Sequence, residues 1–189
     1  MANPASQFVL RLATADDAPA LRQLIDSSVR VLQRNDYSPE QMEGALGTVF
    51  GVDTQLIADG TYYVAVATGQ PGPALLVGCG GWSKRKTLFG SDHGPNRESA
   101  LLDPQTDAAK IRAFFVHPEW TRRGIARQIL ETCEHAARRA GFRRFELGAT
   151  LTGVPMYSAC GYAEVERITV PLANGATLPV VKMSKNCQS

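Results

Sequence analysis

A mixed, mostly antiparallel central sheet of about six to seven strands flanked by helices, an α/β fold of the α+β type, is predicted by three observations on this 189-residue chain. Apolar residues recur at helical spacing in some windows and alternate in others, which gives the element order β-α-α-β-β-β-α-β-α-β-β. Two strand pairs are separated by short turn signals and so read as hairpins. The composition, 44% hydrophobic and 20% charged, suits one globular domain over residues 1–189.

Each element has a local reason. Residues 8–12 (FVLRL) read as a short strand. Thr14 followed by Asp17 forms a capping box, and Ala18, Leu21, Leu24, Ile25, Val29 and Leu32 hold helical spacing, predicting a helix over about 16–34. Ser38-Pro39-Glu40-Gln41 starts a second helix, with Ser as N-cap and Pro at its first position. A further helical turn is expected near 53–58. Residues 62–67 and 74–82 are strands joined by the turn Gly69-Gln70-Pro71-Gly72. The segment 83–107 is long, polar and irregular, a connection more often functional than idle. A buried strand over 110–116 (KIRAFFV) is stopped by His117-Pro118. An amphipathic helix over 124–140 follows, with Gly141 as its stop signal. A strand at 144–150 places Phe145, Leu147 and Ala149 on one side, and a short helix at 155–160 ends at Gly161-Tyr162. Closing strands at 163–171 and 177–183 flank Asn174-Gly175.

Composition narrows the function. Twenty basic against eighteen acidic residues give a net charge of +2, too even to announce a nucleic-acid or membrane partner. The arginines at 122, 123, 138, 139, 143 and 144 lack the aromatic platform a nucleic-acid surface uses. No basic leader with an apolar core opens the chain, and its longest apolar run is under half a membrane span. The four cysteines and three histidines show no metal-ligand spacing, so no metal is expected and the location reads as cytoplasmic. Exposed edge strands leave homodimerisation open.

The informative window is IRAFFVHPEWTRRGIA, residues 111–126: a buried strand, a Pro-stopped turn, two arginines, then Gly124 at a helix start. Such a start leaves about four backbone N–H groups unpaired, and the peptide dipoles favour negative charge there. Gly124 and Ala126 allow close approach of an anion, and Arg122, Arg123 and Arg127 add guanidinium donors. The string fits neither a P-loop nor a dinucleotide fingerprint, so ATP and dinucleotides are poorly supported.

The run VHPEWTRRGIARQILETCEHAARRAGF, followed by a strand and GVPMYSACGY, resembles the acetyl-CoA-binding core of the GNAT superfamily of N-acetyltransferases. The likeness is close over about 109–165, and the element order extends it over nearly the whole chain. Of the family's Gln/Arg-x-x-Gly-x-Gly/Ala loop this sequence keeps Gly124 and Ala126, while Thr121 stands at the first position. The resemblance implies a GNAT-like acyl-CoA N-acyltransferase fold with acetyl-CoA as cosubstrate. Its pyrophosphate would lie on the amides of Arg122, Arg123, Gly124, Ile125, Ala126 and Arg127, and its pantetheine arm would pair with the backbone of Phe115 and Val116 as an added strand. It implies direct acetyl transfer to a primary amine, on a small molecule or a peptide, with Tyr157 as general acid. The Val116 N–H would meet the developing oxyanion.

The base is less defined: Glu98 is named, beside Asp92, His93 and Glu119. Cys79 in GCGGW reads as a buried hydrophobe rather than a nucleophile. The acceptor's walls are expected from the first two helices, including Arg30, Arg34, Asp36 and Tyr37, from the 83–107 segment, and from Trp82. A catalytically silent acetyl-CoA-binding regulatory module is the alternative reading.

Overall fold

The alternating segments become seven strands: β1 (Phe8–Leu12), β2 (Tyr62–Ala67), β3 (Leu76–Ser83), β4 (Ala109–Val116), β5 (Arg144–Thr150), β6 (Ala163–Pro171) and β7 (Thr177–Asn186). The periodic segments become α1 (Ala18–Leu32), α2 (Pro39–Ala45), α3 (Thr54–Ala58), α4 (Ile125–Arg139) and α5 (Val154–Ala159). These come from a computed structural model that describes residues 7–69, 71–95 and 97–187. The strands form one sheet in the order β1-β2-β3-β4-β5-β7-β6, and every pair is antiparallel except β4–β5. The mixed, mostly antiparallel architecture read from the sequence is therefore the observed one.

Boundaries shift for local reasons. The first helix starts at Ala18 rather than near 16, after a 3-10 turn over Ala15–Asp17, and Pro19 sits in its first turn where a missing N–H costs nothing. The capping boxes at Thr14/Asp17 and Ser38/Gln41 both form. The last hairpin has a five-residue connection, because Pro171 pairs with Thr177 and the Leu172 N–H donates to the Ala176 carbonyl.

The sheet carries a core on each face. One packs Val77, Ile129, Phe145, Leu147 and Met183 under α4, and the other packs Leu21, Ile25, Tyr62, Leu178 and Val180 under α1–α3. Gly78 makes the first close: a Cβ there would lie 2.4 Å from Ile125 Cγ2, so only glycine lets the start of α4 settle on β3. Phe145, Leu147 and Ala149 share one face, as their alternation predicts.

β4 departs from the even strand the sequence suggested. Ala113 has φ 58°, and the β3–β4 register slips between Cys79 and Gly81. Ala109 and Ile111 lie in the α4-side core, but Phe115 lies in the other. One inserted residue reverses the alternation, as a bulge must. Beyond it β4 and β5 part: their parallel pairing covers Ala109–Phe145 and Lys110–Glu146 and no further.

Candidate active site

The opening between β4 and β5 is a cavity of about 510 Å³. Its floor begins at the end of β4. The His117 N–H donates to the Val77 carbonyl at 3.0 Å, across the β3 side. Successive backbone groups along a strand point to opposite edges, so the Val116 N–H and C=O face the gap where β5 has left. Phe115 and Val116 both line the cavity. The Phe115 ring meets Phe50 edge-on, with centroids 6.2 Å apart.

The chain then turns through Pro118–Trp120, where His117 Nδ1 accepts from the Glu119 N–H at 3.2 Å. Arg122 (φ 61°) and Gly124 (φ 78°) both adopt the left-handed conformation, which coils the backbone into a nest before α4. Among the described residues the backbone N–H groups of residues 122–127 have no hydrogen-bond acceptor; the first one satisfied is Gln128, which donates to the Gly124 carbonyl. Space above Gly124 is open, since a Cβ there would meet nothing within 4 Å. Arg122 and Arg127 line the cavity. The Arg123 guanidinium turns away: it lies 4.5 Å above the Trp120 ring, donates to Gln7 Oε1 and to the Glu119 carbonyl, and leaves only its amide in the row. Thr121 bonds Pro118 within the turn at 3.3 Å.

Tyr157 reaches the same cavity from α5. Its place follows from how that helix ends. Gly161, at φ 89°, donates to the Ser158 carbonyl, and Tyr162 donates to the carbonyl of Tyr157. This is a Schellman ending, whose usual accompaniment is an apolar contact between the residues at the two ends of the longer bond. Here those residues are Tyr157 and Tyr162, with rings 5.8 Å apart, and Phe114 from the bulge closes on Tyr157 at 6.1 Å. Tyr162 is itself fixed by a 3.0 Å bond to Glu134, a buried carboxylate that also receives Lys185 and Arg138. Burial pushes the Tyr157 phenol well above its ordinary pKa, so it holds its proton throughout the neutral range.

A row of unpaired amides, a strand edge and a phenol on one cavity can be compared with known proteins. Residues 100–187 match the family described as Acetyltransferase (GNAT) domain. Residues 100–187 thus carry the acetyltransferase signature of that family, and the whole chain has its fold. A GCN5-related N-acetyltransferase from Rhodopseudomonas palustris shares its fold at a TM-score of 0.70 and 22% identity, over 98% of this chain and 99% of that one. PaiA N-acetyltransferase from Thermoplasma acidophilum, in complex with coenzyme A, aligns at 0.59 and 13% identity over 95% and 98%. The yncA protein of Salmonella typhimurium, with its cofactor acetyl-CoA, aligns at 0.62 and 16% over 97% and 96%. No curated protein matches the chain.

At the other end of the cavity the residues differ from those the sequence suggested. Glu98 makes a 3.3 Å surface pair with Lys86 and does not line the cavity; nor do Asp92, His93 or Glu119. Asp92 instead accepts from the Thr54 N–H at 3.0 Å. Trp82 packs against Phe142 in the core, Arg30 pairs with Asp26 and Glu43 in solvent, and Tyr37 is a buried clip that donates to the Pro179 carbonyl and accepts from the Leu151 N–H. The walls come from Ser28 of α1 and Gln33 just past its end, from Phe50, from Phe89 of the long segment, and from Arg112 of β4. Arg112 is buried, 2.7 Å from the fully buried Asp53, and donates to the Gly90 carbonyl at 2.5 Å. Desolvation lowers its pKa, opposed by Asp53. Arg97 joins at 3.0 Å, so the long segment is tied down by charges. An arginine inside the apolar run IRAFFV was the available signal, since a buried charge needs a partner.

Among the described residues no group of three or more His, Cys, Asp or Glu side chains could hold a metal. Cys79 is buried, and burial pushes its thiol up to about 12, which makes it inert as a nucleophile.

Proposed function

We propose that the chain transfers the acetyl group of acetyl-CoA to a primary amine by direct attack, with Tyr157 as general acid. The observation that carries this reading is the convergence on one cavity of the unpaired amide row at 122–127, the free edge of β4 and Tyr157. The amide row and the Arg122 and Arg127 side chains suit the diphosphate, each charged hydrogen bond contributing about 1.5–3 kcal/mol. The Val116 edge suits an extended amide-bearing arm and offers its N–H to the carbonyl oxygen as charge develops there.

In the transfer the amine nitrogen bonds the thioester carbon and the C–S pair leaves on sulfur. The Tyr157 hydroxyl gives its proton to that sulfur, the ammonium proton departs to water, and Tyr157 is reprotonated from solvent. Calorimetry with acetyl-CoA, CoA and ATP tests the first half: the two coenzymes bind and ATP binds far more weakly. No CoA binding at millimolar ligand overturns the reading.

A further inference from the structure

The chemistry of the acceptor can be read from the cavity end away from the amide row, an inference that rests on the acetyl transfer proposed above. Among the described residues no Asp, Glu or His lines the cavity, whose charged residues are Arg112, Arg122 and Arg127. The acceptor end is walled by Leu32, Val49, Phe50, Leu88 and Phe89. Three buried side-chain nitrogen or oxygen atoms lack a hydrogen-bond partner among the described residues: Gln33 Oε1, Trp82 Nε1 and Arg112 Nε. Two of the three, an acceptor and a donor, belong to residues that line this cavity. Orphans of that kind are uncommon in folded proteins, and a complementary pair at one site is explained by a ligand that supplies both partners.

We propose that the acceptor is an α-amine beside a carbonyl group and carrying an apolar side chain, as in the first residue of a peptide or an amino-acid amide. Both atoms are covered where the side chains now stand, so the two side chains turn toward the cavity on binding: the acceptor N–H then donates to Gln33 Oε1, its carbonyl oxygen accepts from Arg112 Nε–H, and its side chain packs against Phe50 and Leu88. A polyamine or aminoglycoside finds no carboxylate here for its further positive charges and meets the Arg112 guanidinium. The lack of a lining base points the same way. At pH 7 an amine of pKa about 8 is neutral in ~10% of molecules and a lysine-type amine of pKa about 10.4 in ~0.04%, a ~250-fold handicap that no cavity carboxylate or imidazole offsets.

The test measures kcat/KM for CoA-thiol release at pH 7 with four acceptors: leucinamide, a leucine-initiated tripeptide, an Nα-blocked lysine amide and spermidine. Leucinamide, the tripeptide or both are expected to exceed the other two by roughly a hundredfold or more, and the ratio between the first two distinguishes a small molecule from a chain end as the source. Equal or faster turnover of the blocked lysine amide or spermidine overturns the proposal. So does turnover of none of the four by protein that binds acetyl-CoA in calorimetry, whereas loss of acetyl-CoA binding defeats the acetyl-transfer reading itself. A second measurement uses Gln33→Leu. Removing an unpaired buried oxygen leaves the melting temperature unchanged or higher, while KM for the preferred acceptor rises about tenfold and acetyl-CoA affinity stays put. A lower melting temperature with unchanged KM makes Gln33 a structural residue and overturns its role.

Discussion

The two ends of the cavity are built by different means. The coenzyme end is backbone: six successive amides and a strand edge, contributed by one stretch of chain from Phe115 to Arg127. The acceptor end is side chains, and they come from α1, the Val49–Phe50 turn, the long 83–107 segment and β4. The first sits at a helix start with open space above Gly124; the second is continuous with the core beneath α1 through Phe50, Asp53 and Arg112. The coenzyme end can therefore lose its ligand while the fold survives, whereas the charged tie of Asp53 to Arg112 and Arg97 at the acceptor end cannot be cut without weakening the fold.

The sharpest way to break that contrast is Asp53→Ala. Asp53 is fully buried, holds Arg112 at 2.7 Å and Arg97 at 3.0 Å, and caps α3 through the Leu56 N–H at 3.2 Å. Removing it strands a buried guanidinium, at a cost of about 3–5 kcal/mol. Urea unfolding should show that loss as a lower midpoint; a change under 1 kcal/mol would mean the pair contributes little. The counterpart is Gly124→Glu. It puts a carboxylate over the amide row and a Cβ at φ 78°, and should weaken CoA binding on the order of a hundredfold or more with a smaller change in the unfolding midpoint. If it unfolds the protein as badly as Asp53→Ala does, the two ends are not energetically separate.

Tyr157 lies where the ends meet. Tyr157→Phe keeps the ring contacts with Phe114 and Tyr162 and removes only the hydroxyl, so kcat should fall about a hundredfold while acetyl-CoA affinity is retained. The pH profile adds a sign. The phenol acts in its protonated form and burial raises its pKa, so the loss of the acid moves above the ordinary value of about 10. The rate should climb as the acceptor amine deprotonates and then stay level to pH 10. A descending limb below pH 9 would assign the proton to another group.

The same contrast explains what could be read without coordinates. The amide row was legible because its parts are neighbours: Gly124, the arginines and a Pro-stopped strand all fall within IRAFFVHPEWTRRGIA. Tyr157 was legible through Gly161-Tyr162, whose helix-ending geometry is itself local. Ser28 and Gln33 were not, because along a helix with so clear an apolar stripe, and at the cap that ends it, nothing in the spacing separates a cavity wall from a solvated flank. The bulge at Ala113 was hidden for a related reason: KIRAFFV reads as an unbroken strand, and its reversed alternation appears only against β3. Glu98 drew notice as a carboxylate in a functional-looking segment, but which way a loop side chain faces is set by tertiary anchors, here Arg97 to Asp53 and the Thr87 hydroxyl to the Glu98 carbonyl.

The smallest effect tests whether the coenzyme end is backbone at all. Arg122, Arg123 and Arg127 look alike in sequence, yet only Arg122 and Arg127 face the cavity. Arg123→Ala should change CoA affinity less than threefold, since its amide stays in place, while costing ~0.5–1 kcal/mol of stability through the lost stacking on Trp120. Arg127→Ala should do the reverse, weakening CoA about tenfold and leaving stability near that of the parent. Because both variants remove one positive charge from adjacent turns, a long-range field acting on the diphosphate would weaken binding equally in both. Measured in parallel by calorimetry at two salt concentrations, equal losses would transfer the holding of the phosphates from the amide row to general charge; unequal losses leave it with the amides and the two guanidinium groups that face them.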